Sequence, residues 1–273
     1  MVIDGKAHAA KIRDNVKKAD IKNCKLAVVL VGDNPASLTY INVKKLACEE
    51  VGFQFLLKHL PESSTIEDVS RVIIYLNNDK TVTGILVQQP MPIHLDKYKV
   101  VSLVDPRKDV DCLHPYNVGL AFAEQGTLRP CTPAGIMTLL KNENISLKGK
   151  HAVIIGRSEI VGKPLAFMFL AEDATVTTCH SQTQNLPEIC RQADILVVAA
   201  GSPEFIKKDM VKPGAVIIDV GINRLQDRLC GDVDFNECEA VASYITPVPG
   251  GVGPMTVATL MENCLKAWSL QNE

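Results

Sequence analysis

Lys44 falls among apolar side chains, where a primary amine can do chemistry that it cannot do in water. The stretch Ser37 to Val51, bounded by Pro35 and Gly52, predicts a helix with Ser37 as N-cap and Gly52 as its stop. At about 100° per residue, Tyr40, Ile41, Ala47, Cys48 and Val51 share one face with Lys44. Lys45 turns toward water with Asn42 and Glu49. A lysine in such a stripe either snorkels its amine to the surface or keeps it inside. In the second case desolvation lowers its pKa from about 10.4 toward neutrality, and the amine can exchange protons during catalysis. Tyr40 stands one turn earlier, at the spacing where helical side chains meet. Lys44 is the first candidate acid/base, with Tyr40 beside it.

A second constellation follows an apolar strand, His151-Ala-Val-Ile-Ile155, which runs into Gly156-Arg-Ser-Glu-Ile-Val-Gly162-Lys-Pro164 and an apolar helix. Glycines at such a turn let the backbone approach a pyrophosphate at the helix amino terminus, where free N–H groups and the dipole favour negative charge. The spacing is neither G-x-G-x-x-G nor a Walker loop, since Pro164 stands where Ser or Thr would be required. By itself the segment reads either as a phosphate cradle or as a tight strand-to-helix turn. Ala199-Ala-Gly201 and Asp219-Val-Gly221 place small residues at the ends of later strands, where doubly wound sheets bind ligands. The candidate cofactor-binding residues in and beside these segments are Gly156, Arg157, Ser158, Ile160, Val161, Gly162, Ser181, Ala200, Gly201, Gly221 and Ile222. NAD-binding folds carry an acid about 20 residues past the glycine turn to accept from the ribose 2′-hydroxyl. Here that region reads Cys179-His-Ser-Gln-Thr183, without an acid, while Arg157 and Ser181 suit a 2′-phosphate. NADP is the expected cofactor.

The elements that must carry these residues alternate strand and helix throughout, the arrangement of parallel α/β sheets. A helix over 6–19 precedes strand 26–31, the Lys44 helix, strand 53–60, a helix over 65–78 and strand 83–87. Pro90, Pro92, Pro106 and Pro115 then break the chain into a long irregular segment that reads as a functional loop. A helix over 136–143 opens the second block, with strands at 151–155, 175–179, 195–199 and 215–220.

The 273 residues are 47% hydrophobic and 22% charged, enough apolar material for one large or two ordinary domains. A net charge of −2 with dispersed Lys and Arg gives no basic footprint for nucleic acid, and no apolar run has the length of a membrane span. Nine cysteines, without a Cys-x-x-Cys pair, read as buried reduced thiols, and the amino terminus lacks a leader pattern. The expectation is an unprocessed cytoplasmic protein. The six histidines have no metal-ligand spacing, so no metal is expected.

Several motifs extend the pattern: Ile3-Asp-Gly-Lys6, Pro35-Ala-Ser37 with Tyr40-x-x-x-Lys44, Gly84-Ile-Leu-Val-Gln-Gln-Pro90, Lys108-Asp-Val-Asp111 and Pro130-Cys-Thr-Pro133. Beyond the Gly156 turn come Asp219-Val-Gly-Ile-Asn-Arg224, Gly231-Asp-Val-Asp234 and Tyr244-Ile-Thr-Pro-Val-Pro-Gly-Gly-Val-Gly-Pro-Met-Thr256. Together, over nearly the whole chain, they resemble the bifunctional methylenetetrahydrofolate dehydrogenase/methenyltetrahydrofolate cyclohydrolase family. The resemblance implies an α/β protein of two domains with a cleft between them. One is an N-terminal folate domain, residues 1–120 completed by a closing helix over 254–273; the other is a Rossmann-type dinucleotide-binding domain over 121–253. It implies a homodimer, NADP, hydride removal from 5,10-methylenetetrahydrofolate, and hydrolysis of the methenyl product to 10-formyltetrahydrofolate.

On the matching positions the resemblance assigns the proton steps of hydrolysis to Lys44, Tyr40 and Gln88. It assigns pterin recognition to Asp111, with Tyr40 and the loop Pro249, Gly250, Gly251 and Val252 contributing to the folate site. The loop's glycines serve either backbone approach to the ligand or only the turn into the last helix. The chain departs from the family at Cys112, where glycine is usual, at Lys45, since a second lysine is more often two places on from Lys44, and at Gln182 and Gln184, where basic residues are frequent. Two rival readings are another NADP-dependent two-domain dehydrogenase, of the kind acting on small hydroxy acids, and a catalytically silent nucleotide-binding regulatory protein. The first leaves Tyr40, Lys44, Gln88 and Asp111 without a purpose; the second would have lost Lys44 or Asp111, and both are present.

Overall fold

The computed structural model describes residues 1–19, 21, 23–225 and 228–272. The chain forms two compact units, Ala10–Cys131 with Val257–Glu273, and Met1–Ala9 with Thr132–Thr256. Glu273, the end of the expected closing helix, lies outside the described residues.

The first unit is built on β1 (Lys25–Val31), which is apolar on both faces and buried on both. It pairs in parallel with β2 (Gln54–Leu60) on one side and β3 (Gly84–Val87) on the other. The period of two splits the strand's side chains between two cores. Leu26, Val28 and Leu30 meet Ile41, Ala47, Cys48 and Val51 of α2 (Pro35–Val51), together with Val257, Leu260, Met261, Cys264 and Ala267 of α10 (Val252–Asn272). Ala27, Val29 and Val31 face Val69, Ile73 and Leu76 of α3 (Ile66–Asn78).

The expected helices form, the one expected over 136–143 spanning Cys131–Asn142, with two further local differences. The cap of α2 is Asn34 rather than Ser37: the Asn34 side chain accepts from Ser37 N at 3.1 Å, and Pro35 occupies the first helical turn. Gly52 closes the helix in the left-handed conformation, φ 81°. The expected irregular segment holds two short helices, α4 (Lys97–Val101) and α5 (Pro115–Phe122), capped by Asp96 and His114. Each is too short for hydrophobic periodicity to reveal it.

The second unit carries five parallel strands in the order β10-β7-β6-β4-β5: β4 (His151–Ile155), β5 (Thr175–Cys179), β6 (Ile195–Val198), β7 (Val216–Asp219) and β10 (Tyr244–Ile245). This is the expected α/β class with parallel sheets, and the order reverses around β4, the place where such sheets leave a ligand crevice at the strand ends. The two-residue β10 and an antiparallel hairpin of β8 (Asn223–Leu225) and β9 (Arg228–Cys230) were beyond sequence patterning, being too short to alternate. All nine cysteines are free and buried, as expected of reduced thiols.

Lys108 shows how the first unit closes its helix ends. Its amine donates to the carbonyls of Leu76, Asn77 and Asp79 at 3.1, 2.8 and 2.8 Å, satisfying the carboxyl end of α3. Lys108→Met should cost about 1–3 kcal/mol, because buried carbonyls lose a charged donor. A control at Lys25, whose amine reaches Thr81 Oγ1 at the surface, should leave the melting temperature unchanged. Equal melting temperatures for the Lys108 variant and the parent would show that water replaces the amine at no cost.

Candidate active site

Helix α2 turns Lys44 inward with Ser37, Ile41, Ala47, Cys48 and Val51, and the residue is 9% exposed. The amine stays in the interior. It donates to Gln88 Oε1 at 2.8 Å. Gln88 follows the last residue of β3, and its own N–H donates to Val29 O, extending the pairing with β1. The Gln88 amide nitrogen donates to Gln89 O at 2.6 Å, so the amide is oriented with its oxygen toward the lysine. Burial pushes the Lys44 amine below the ordinary lysine value, and Asp111 and Cys131 act in the opposite sense. Cys131 is itself pushed well above its usual value, mainly by burial, so it remains a neutral thiol. Asp111 is thus the effective counter-charge. Tyr40 is half-buried, and burial raises its phenol, which stays protonated.

The Asp111 loop is held from several sides. Ile85 N donates to Lys108 O at 2.7 Å, and Ile85 bridges Asp109, so residues 108–110 run beside β3. Asp109 accepts from Leu113 N, His114 N and Asn117 Nδ2 at 3.1, 2.9 and 2.9 Å. Val110 O accepts from Asn263 Nδ2 of α10 at 2.9 Å and from Cys131 Sγ at 3.4 Å. Cys112, the departure from the family's glycine, has φ 57°, a conformation glycine adopts freely and other residues at a cost of roughly 1–2 kcal/mol. Its side chain is fully buried and its Sγ donates to Leu128 O at 3.6 Å. The loop therefore keeps the backbone that a glycine would adopt.

The structure brings Lys44, Gln88 and Asp111 together, with Tyr40 one turn away on the same helix. Sequence reasoning missed Ser37, whose hydroxyl donates to Gln89 O at 3.4 Å, and Asn263, which supports the Asp111 loop. No local signal marks either role. Pro249, Gly250, Gly251 and Val252 belong to the other unit, after β10. There Lys6 N donates to Gly250 O at 3.1 Å, and a Cβ on Gly5 would lie 1.9 Å from Gly251 O. The Asp-Gly-Lys motif at residues 4–6 thus packs against this loop.

In the same unit, the nucleotide set gathers at the carboxyl ends of β4, β5, β6 and β7. Gly156 has φ 120°, and a Cβ there would lie 2.3 Å from Ala199 O; one on Gly162 would lie 2.0 Å from Gly156 O. Both positions exclude a side chain. Helix α7 (Gly162–Ala171) begins without a side-chain cap; Lys163 N donates to Ser158 O at 3.0 Å and Pro164 has no N–H, so Gly162 N is the donor its first turn can turn toward an anion. Arg157, Ser158, Ile160, Ser181, Ala200, Gly201 and Ile222 are exposed, whereas Val161 and Gly221 are buried. Ile155 pairs with Cys179, so Arg157 and Ser181 emerge from neighbouring strands. At the end of β7, burial raises the Asp219 carboxyl to about 7 against three backbone N–H donors, with Asp232 adding to the rise.

Residues 3–111 match the family described as "Tetrahydrofolate dehydrogenase/cyclohydrolase, catalytic domain". Residues 130–272 match "Tetrahydrofolate dehydrogenase/cyclohydrolase, NAD(P)-binding domain". A "Bifunctional protein FolD" from Acetivibrio thermocellus is 52% identical, covering 99% of this chain and 97% of its own. The solved bifunctional enzyme FolD-methylenetetrahydrofolate dehydrogenase/cyclohydrolase from Campylobacter jejuni is 48% identical with a TM-score of 0.96, covering 99% of both chains. The Trypanosoma brucei N5,N10-methylenetetrahydrofolate dehydrogenase-cyclohydrolase, solved with NADP cofactor and inhibitor, is 37% identical with a TM-score of 0.96, covering 100% of this chain and 98% of that one.

Proposed function

The chain belongs to the tetrahydrofolate dehydrogenase/cyclohydrolase family, and from that premise we propose how its residues share two reactions on one folate. It oxidises 5,10-methylenetetrahydrofolate to the 5,10-methenyl cation and hydrolyses that cation to 10-formyltetrahydrofolate, in one-carbon metabolism. NADP, when bound, supplies the hydride acceptor. The uncapped start of α7 and the two glycines that admit no Cβ fit a dinucleotide.

The observation that carries the residue assignment is the buried Lys44 amine held at 2.8 Å from Gln88 Oε1. In hydrolysis, water adds to the methenyl carbon and loses one proton; the bond from that carbon to N5 then opens as N5 gains a proton and the new hydroxyl gives up its own, leaving the formyl carbonyl on N10 and one proton released overall. Lys44 serves these transfers, because burial lowers its pKa and makes the neutral amine accessible. Gln88 orients the amine, and Tyr40 contributes its hydroxyl beside it. Asp111 binds the donor edge of the pterin, where an acceptor-only carboxylate fits adjacent N–H groups. The family resemblance also assigns Pro249, Gly250, Gly251 and Val252 to folate binding. The dehydrogenase step needs alignment of the two reacting carbons and exclusion of water rather than an acid or base.

Residues 1–120 with 254–273 act as the folate part and 121–253 as the nucleotide part; the compact units follow this division except that residues 1–9 and 254–256 group with the nucleotide part and residues 121–131 with the folate part. Among the described residues no helix is long and apolar enough to cross a membrane. Nine free, buried thiols favour a cytoplasmic location. The enzyme acts as a homodimer, without nucleic-acid or membrane partners; light scattering that gives the 29.7 kDa mass of one chain would remove the dimer.

Lys44→Met is expected to keep the fold and NADP binding while nearly abolishing hydrolysis of the methenyl compound, followed by its absorbance. Cyclohydrolase activity near the parent value would sink the assignment. The cofactor preference is tested at Arg157. If its guanidinium reads the 2′-phosphate, Arg157→Ala should weaken NADP by about 10- to 150-fold, corresponding to roughly 1.5–3 kcal/mol, and leave NAD nearly unchanged. Equal losses for both nucleotides would make Arg157 a support of the turn instead.

A further inference from the structure

Two buried carboxylates lie under the nucleotide edge of the second unit. Asp232 is fully buried, while Ala200, Gly201 and Ser202, at the end of β6, are exposed. One carboxylate oxygen of Asp232 accepts from Ala200 N at 2.7 Å and Gly201 N at 2.9 Å; the other accepts from Ser202 N at 2.9 Å and Asn223 Nδ2 at 2.8 Å. Asp219, at the end of β7, holds Asp232 in turn. It accepts from Gly221 N at 3.0 Å, Asp232 N at 3.0 Å and Val233 N at 2.9 Å. The glycines of the two motifs are reciprocal sockets. A Cβ on Gly221 would lie 2.3 Å from the Asp232 carboxyl carbon, and one on Gly231 would lie 1.8 Å from an Asp219 oxygen.

We propose that Asp232 is a positioning residue for the cofactor: by taking the N–H groups of Ala200, Gly201 and Ser202, it leaves the Ala200–Gly201 corner with carbonyl acceptors only. Such a corner suits the part of a dinucleotide that carries donors, its ribose hydroxyls and carboxamide, and is unfavourable to a phosphate, which is an acceptor. The phosphates are thereby left to the start of α7. The inference rests on the reading of residues 200, 201, 221 and 222 as cofactor contacts.

The test compares two probes on the full-length enzyme: NADP, and adenosine 2′,5′-bisphosphate, which has the 2′-phosphate half but no nicotinamide riboside. Asp232→Asn retains the size of the side chain and replaces one acceptor by a donor facing N–H groups. It should raise the dissociation constant of NADP about tenfold or more, change that of the bisphosphate less than about twofold, and leave the KM for the methenyl substrate in the cyclohydrolase assay unchanged. Equal weakening of both probes would reduce Asp232 to a purely structural residue, and unchanged NADP affinity would overturn the proposal. If the variant does not fold, Asn223→Ala removes a single partner of the same carboxylate and should weaken NADP alone, by about threefold or more; no selective loss there overturns the proposal too. Arg157→Ala separates the two readings: if it weakens NADP while neither of these variants does, the nucleotide site stands and the role of Asp232 falls.

Discussion

An amine taken out of water must be given a partner, and the partner decides what the amine can do. Lys44 faces the core because α2 turns it there, and the cost of that burial is offset by the oxygen of Gln88. A carboxylate in the same place would hold the lysine charged through direct ion pairing; an amide oxygen accepts the hydrogen bond with far less pull on the pKa. The carboxylate of the site, Asp111, acts on the amine only through its charge. The amine is thereby kept inside, oriented, and below its ordinary pKa, which are the conditions for moving protons near neutral pH.

The supports of that amine explain much of the surrounding unit. Gln88 is in place because β3 pairs with β1, and Asp111 because residues 108–110 follow β3 on its far side. Asn263, from the last helix, takes up Val110 O and Arg129 O at 2.9 and 2.8 Å. Buried polar groups are costly when unpaired, and most of those around the site are satisfied, although Asn263 Oδ1 and Gln89 Nε2 are buried without a partner among the described residues.

The nucleotide unit solves a different electrostatic problem. Parallel strands end on one edge, and the backbone there must offer donors to phosphate in one place and acceptors in another. At the Gly156 turn the helix start is left without a side-chain cap; at Ala200–Ser202 the backbone donors are already taken by Asp232. Glycine is used in both places for space. At Gly156 and Gly162 it lets one backbone segment approach another, and at Gly221 and Gly231 it lets a carboxylate approach a backbone.

The period of the apolar residues determined that Lys44 faces inward, because orientation on a helix depends only on neighbours within a few turns. The same local logic placed β4 and β5 at their observed limits and marked the Gly156 turn, the alternation of strands and helices, and the burial of the thiols. The family's motifs extended this to Gln88 and Asp111, which periodicity alone would leave as a strand-end glutamine and a loop aspartate. Only the tertiary structure decided that Ser37 reaches Gln89 O, and that Asn263 supports a loop more than 130 residues earlier in the chain. It alone paired the Asp219 and Asp232 motifs as each other's sockets. The physical reason is range. A hydrogen bond between distant segments exists only once strand order and register have brought its two ends within about 3 Å, and spacing along the chain carries no record of that approach.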